Sequence, residues 1–226
     1  MGLNNRQALR VVFDIETIPL PDAADYIDTS NFAAPSNWKD PVKIAANIEE
    51  QKQAAISKAA LDLDLCQVVA IGWMQEGWNE PVMVVAEKPS EEAPMIREFW
   101  DALDERVTVG KNSIGFDLPV LLRRSLYLGV QAPMLNIDKY RSPHIDLQLR
   151  LTHHGAFKFR SLDFYCKRFG IVVEDGFSGK DIGALVEAKN WYAVKAHCRA
   201  DVLKTKALAE KMGLLKQQPA MQEAAF

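Results

Sequence analysis

The sequence predicts an α/β protein, a mixed β-sheet flanked by α-helices. Three observations carry this reading. Residues 10–15 form a short, β-branched apolar run of the kind that makes a buried strand. Residues 66–73 and 81–86 are two more such runs, separated by one turn containing Gly77, the spacing of an antiparallel pair. From Ser90 onward, segments of helical period alternate with short apolar runs, which adds strand-and-helix units to the first three strands.

Element by element, the first strand is expected to stop abruptly, because Thr17-Ile-Pro19 follows it. Residues 21–40, rich in Pro, Asp, Ser and Asn, read as a long loop, and 41–61 as a helix. Together they form an insertion, 21–61, after the first strand. Ser90-Glu91-Glu92 offers a helix cap with acids in the first turn, and Ile96, Phe99, Trp100 and Leu103 give that helix an apolar face as far as Asp104. A fourth strand follows at 107–110, a helix at 117–128 and a short strand around 144–147. Helical pattern then dominates 160–213, and the tail 217–226 is expected to be flexible. The chain reads as a single domain over 1–216, long enough for a substantial core.

Composition narrows the class. Hydrophobic residues at 48% and charged residues at 25% are those of a globular protein. No apolar run reaches the roughly 20 residues of a membrane span, and the first ten residues lack the apolar core of a signal peptide. Cys66, Cys166 and Cys198 show neither C-x-x-C nor zinc-finger spacing, so they read as reduced, partly buried thiols of a cytoplasmic protein. A net charge of -3 argues against a protein that coats nucleic acid by bulk electrostatics. Charge is uneven, however: residues 139–168 hold seven Lys or Arg against two acids, Asp146 and Asp163, a local +5. Phe157, Phe159, Phe164 and Tyr165 are interleaved with Lys158, Arg160, Lys167 and Arg168 there, a pattern that suits either single-strand tracking or buried aromatics. His153 and His154 are adjacent, which on a helix points them apart and makes a shared metal site improbable.

Three segments carry candidate chemistry. Asp14 and Glu16 are two apart on a strand, so their side chains leave one face and can hold a metal. Asp117 falls where a Gly-bearing turn, 110–116, enters a helix; an Asp there is also an ordinary N-cap, and Asn112 and Phe116 have turn and core readings. In the last helix, Val194, His197, Cys198, Asp201, Val202, Thr205, Leu208 and Met212 trace one inward face. Burying Asp and His there is costly unless they are paired, hydrogen-bonded or metal-bound. Phosphodiester hydrolysis would give these acids a common task, since two divalent ions about 4 Å apart can activate water and stabilise a leaving oxygen. Mg2+ and Mn2+ prefer such carboxylate oxygens.

Phe13-Asp-Ile-Glu-Thr17, Asn112-Ser-Ile-Gly-Phe-Asp-Leu-Pro119 and His197-Cys-Arg-Ala-Asp-Val202 resemble, in order, the three motifs of the DEDD (DnaQ-like) 3'-5' exonuclease superfamily. The likeness is greatest to stand-alone exonucleases related to the proofreading domain of family-B DNA polymerases, and it extends from about residue 11 to 212. It implies a ribonuclease-H-like sheet and a two-metal site of Mg2+ or Mn2+ held by Asp14, Glu16, Asp117 and Asp201. Asp14 would bridge the ions, Glu16 and Asp201 would complete the water-activating site, and Asp117 would act on the second ion. Thr17, Asn112 and Phe116 would meet the terminal nucleotide. The implied substrate is the 3' end of single-stranded DNA, and any replication or repair partner would act in trans.

One position departs from the pattern. The superfamily orients the attacking water with a Tyr four residues before the last Asp or a His five before it; here His197 stands four before Asp201. His197 can serve as the base, one helical turn from Asp201, or be its structural partner. The alternatives to a deoxyribonuclease are a weak or inactive binding module of the same fold and an exoribonuclease.

Overall fold

The computed structural model describes residues 9–216. In chain order the elements are β1 (Arg10–Pro19), α1 (Pro41–Lys58), β2 (Cys66–Gln75), β3 (Val82–Val85), α2 (Glu92–Leu103), β4 (Val107–Gly110), α3 (Asp117–Leu128), β5 (Ile145–Asp146), α4 (Leu147–Leu151), α5 (Leu162–Phe169), α6 (Ile182–Glu187) and α7 (Trp191–Lys211). The strands form one mixed sheet of order β3-β2-β1-β4-β5. β1 pairs antiparallel with β2 and parallel with β4, β2 pairs antiparallel with β3, and β4 parallel with β5. The predicted α/β class is therefore the observed one. None of the helices among the described residues is long and apolar enough to cross a membrane, and the tail at 217–226 lies outside the described residues.

Alternation along β1 divides the molecule into two layers. Val11, Phe13 and Ile15 face one core with Ile96, Phe99 and Leu103 of α2 and Leu118 and Leu121 of α3. Val12 faces the other, with Val109, Cys166 of α5 and Val202 and Leu208 of α7. Asp14 and Glu16 take the next two positions on the Val12 side, toward α7. Gly72 pairs with Asp14 across the sheet. A Cβ there would come within 2.9 Å of Val202 Cγ2, so this glycine is what lets α7 pack so close.

Several expectations change. β1 does not stop at residue 15. It continues to Pro19 through a register shift between Glu16 and Thr17, because β4 pairs only as far as Val12 and leaves an open edge where a proline's missing N–H costs nothing. Ser90 does not cap α2; a 3-10 turn precedes that helix, and the Glu91 carboxylate accepts the Glu87 and Lys88 N–H groups instead. The stretch 160–213 is not helical throughout, since a loop between α5 and α6 interrupts it. His153 and His154 sit in a turn with positive φ (47° and 59°) rather than on a helix, and they do point apart, one against Phe157 and the other against Tyr140. All three cysteines are free and fully rather than partly buried.

Candidate active site

β1 brings Asp14 and Glu16 to the face of α7 that carries His197, Cys198 and Asp201. Ligand atoms of Asp14, Glu16 and Cys198 lie within 4.8 Å of one another, as do those of Asp175, His197 and Asp201. Asp117 joins them as the first residue of α3. It is not the helix cap: Phe116 occupies that position with no side-chain cap, and the Asp117 carboxylate is free to face β1.

The turn that delivers Asp117 is held by a carboxylate of its own. Asp146, at the end of β5, accepts the backbone N–H of Asn112 and Ile114, both at 3.0 Å, and those of Gln148 and Leu149 at the start of α4. Asn112 adopts a φ of 65°, and its side-chain oxygen accepts Gln148 Nε2 at 2.8 Å. Asn112 thus has the turn role that the sequence allowed. Phe116 is half-buried and packs against the α2–α3 core, and the Thr17 hydroxyl donates to the Ala60 carbonyl at 2.6 Å.

Electrostatics mark the carboxylates as unbalanced. Burial, then the charges of Asp117, Asp201 and Glu16, push the Asp14 carboxyl well above its usual range. Burial and the neighbouring Asp201, Asp117 and Asp175 do the same to Glu16, and its buried Oε1 has no hydrogen-bond partner. Asp117 rises to about 7, chiefly through burial, although backbone N–H groups pull against it. Lys111 faces this group. Burial lowers its pKa while Asp117, Asp146, Asp14 and Asp201 oppose that shift.

Two neighbouring features have partners of their own. Cys198 is driven far up by burial and by the surrounding acids, so it stays a thiol, and it donates to the Asp14 carbonyl at 3.7 Å. The Asp175–His197–Asp201 group already contains a cation, Lys204. Its ammonium bonds Asp175 at 2.6 Å and both Asp163 and Asp201 at 2.9 Å. Burial works against its charge, but these three bonds outweigh burial and raise its pKa.

His197 is not the partner of Asp201. Its Nδ1 lies 3.0 Å from Asp175, and its Nε2 3.7 Å from Glu16 Oε1. Asp175 comes from the α5–α6 loop, where no periodicity announces it. Lys204 sits one turn beyond Asp201, a spacing that does flag it as a charge on the inward face of α7.

Residues 59–224 match the family of predicted 3'-5' exonucleases related to the exonuclease domain of PolB. The chain belongs to this family. No curated protein matched it. The exonuclease family assignment agrees with the mixed sheet flanked by helices, which is that of a ribonuclease-H-like exonuclease. The matched segment begins after β1 and does not include Asp14 and Glu16.

Proposed function

We propose that the chain is one catalytic domain that removes nucleotides from the 3' end of single-stranded DNA by metal-assisted phosphodiester hydrolysis. The observation that carries this is the convergence of Asp14, Glu16, Asp117 and Asp201 from three separate elements into one group, in which Glu16 and Asp117 are buried and Asp14 and Asp201 partly exposed. Burial pushes three of these carboxyls up, Asp14 and Glu16 also through the charges of the other acids in the group and Asp117 also through Asp146, and Glu16 Oε1 is orphaned. Such a group is destabilising for folding and makes sense as a receptor for positive charge.

All the donors are hard carboxylate oxygens, the set that suits Mg2+ or Mn2+, and four acids balance two divalent charges. Asp14, Glu16, Asp117 and Asp201 would hold the ions. When bound, they would supply an activated water and charge stabilisation at the leaving oxygen. The protein's own residues do the rest. His197 turns Nε2 toward the Glu16 carboxylate, where it can take a proton from a water touching both. Lys204 fixes Asp201, and Asp146 fixes the turn ahead of Asp117. Thr17, Asn112 and Phe116 would meet the terminal nucleotide, the last through the exposed part of its half-buried ring.

Single-stranded substrate is favoured by the 139–168 segment. Phe157, Phe159 and Phe164 are exposed at 62%, 56% and 40%, so these three are not the buried aromatics that such a pattern more commonly means, whereas Tyr165 packs against the core. The Arg160 guanidinium lies 4.9 Å over the Phe164 ring, and Lys139 lies 5.5 Å over Tyr140. Cations layered on exposed rings suit unpaired bases and their phosphates. This face adjoins the site, because Asp163 beside Phe164 bonds Lys204, which bonds Asp201.

The test is incubation with Mg2+ or Mn2+ and 5'-labelled single-stranded DNA and RNA, with Asp14→Ala alongside. A metal-dependent ladder of shortened DNA absent from the variant is expected. Cleavage surviving in Asp14→Ala would remove the assignment. A ladder from RNA alone would make the enzyme an exoribonuclease, and binding without cleavage a noncatalytic module.

A further inference from the structure

We propose that Asp175 is a positioning residue for hydrolysis, a loop carboxylate that fixes the ring orientation and tautomer of His197 so that Nε2 presents a lone pair to the water beside Glu16. This rests on the exonuclease reading above and adds to it a residue that none of the three sequence motifs contains.

The geometry is specific. Both Asp175 carboxylate oxygens lie at 3.0–3.1 Å from His197 Nδ1, and both side chains are buried, at 8% and 6%. Burial opposes the charge of Asp175, but hydrogen bonds from Lys204 and His197 hold its carboxyl below the usual range. An ionised carboxylate only accepts, so Nδ1 must carry the hydrogen. In a neutral imidazole the lone pair then falls on Nε2. That atom lies 3.7 Å from the orphaned Glu16 Oε1, beyond hydrogen-bond range and close enough for one water to touch both. Gly179 of the same loop approaches Nε2 from another side, where a Cβ would come to 3.9 Å, so the loop closes around the ring without blocking it.

Imidazole is shorter than phenol and, unlike phenol, has two nitrogens whose roles can be exchanged. A histidine at the tyrosine spacing therefore needs something to choose the nitrogen and hold the ring, as carboxylates do for catalytic and metal-binding histidines elsewhere. Asp175 is the group in contact with the far nitrogen. Lys204 anchors it in turn at 2.6 Å, tying the loop to α7.

The experiment has two arms. In 15N-histidine NMR of the metal-free wild-type protein, followed to a pH at which the His197 ring carries one hydrogen, that hydrogen is expected on Nδ1, with that preference lost in Asp175→Ala and kept in Asp175→Glu. In steady-state kinetics, Asp175→Ala is expected to lower kcat by about a hundredfold with little change in KM. Asp175→Glu should recover part of the loss, and the same alanine change should cost little in a His197→Tyr background, where no tautomer needs choosing. A wild-type His197 protonated at Nε2, or an equal loss in both backgrounds, would overturn the proposal. The wild-type NMR measurement needs neither a variant nor any cleavage, so it decides the tautomer even if the exonuclease reading fails.

Discussion

Two groups of buried charge lie on opposite faces of the sheet, and they are built to opposite rules. On the α2–α3 side, Glu92 and Arg124 form a bidentate pair, Nε and Nη2 each at 2.7 Å, and Glu92 also accepts the Val68 N–H at 3.0 Å. Both are almost wholly buried, and both charges are balanced. On the α7 side, Glu16 and Asp117 are buried to a similar degree and Asp14 is half-buried beside them, yet they repel one another and leave an oxygen without a partner. The first arrangement is complete in the folded chain. The second is incomplete without added cations, and that difference separates a structural charge cluster from a functional one more sharply than burial does.

The strongest way to break the comparison is to remove one partner of the complete pair. Arg124→Met should destabilise the fold by about 3–5 kcal/mol, because Glu92 is left as an uncompensated buried charge. Chemical denaturation would measure this, and kcat per folded molecule should not change. A stability near wild type would mean that the pair is no more structural than the site.

The converse substitution should stabilise. With chelator present, Asp117→Asn is expected to raise Tm near neutral pH by a few degrees, since it removes a member of the repelling group. The sign follows from linkage. The folded pKa of Asp117, about 7, lies above the ordinary 3.8, so its contribution to stability is fully present below pH 3.8 and is lost as pH rises to about 7. The advantage of the Asn variant should therefore grow across that window, as scanning calorimetry at several pH values would show. Mg2+ or Mn2+ should cancel it by stabilising the wild type more. An advantage that shrinks with rising pH would contradict the unbalanced site.

The smallest effect is expected at the exposed rings of the 139–168 segment. Replacing Phe157, Phe159 and Phe164 together with Ala should leave Tm within a degree or two, because these rings are exposed. KM for a long single strand should rise about tenfold, as stacking on an aromatic is worth ~1–3 kcal/mol per base. KM for a dinucleotide should hold. Equal losses on both substrates would place the rings in the active site or the core instead.

Much of the architecture was legible because it depends on local pattern. α3 begins at Asp117 and ends at Leu128 as predicted, since a Gly-bearing turn opens it and Gly129, at a φ of 65°, closes it. Where the pattern misled, a neighbouring element decided. β1 runs on to Pro19 because β2 extends beside it while β4 has ended. Phe157 and Phe159 read more readily as core than as surface, and only the turn after α4 puts them outside.

The sequence by itself determined the sheet-and-helix class, the common face of Asp14 and Glu16, and the inward stripe of α7 with His197 and Asp201, because periods of 2 and 3.6 assign side chains to faces without reference to anything else. Only the tertiary structure decided the partners. It gave His197 to Asp175 rather than Asp201, set Lys204 among three carboxylates, and balanced Glu92 with Arg124 while leaving Glu16 orphaned. The physical reason is that pairing is a property of distance in space, and each of these contacts except Lys204 with Asp201 joins residues too far apart in the chain for any local period to relate them.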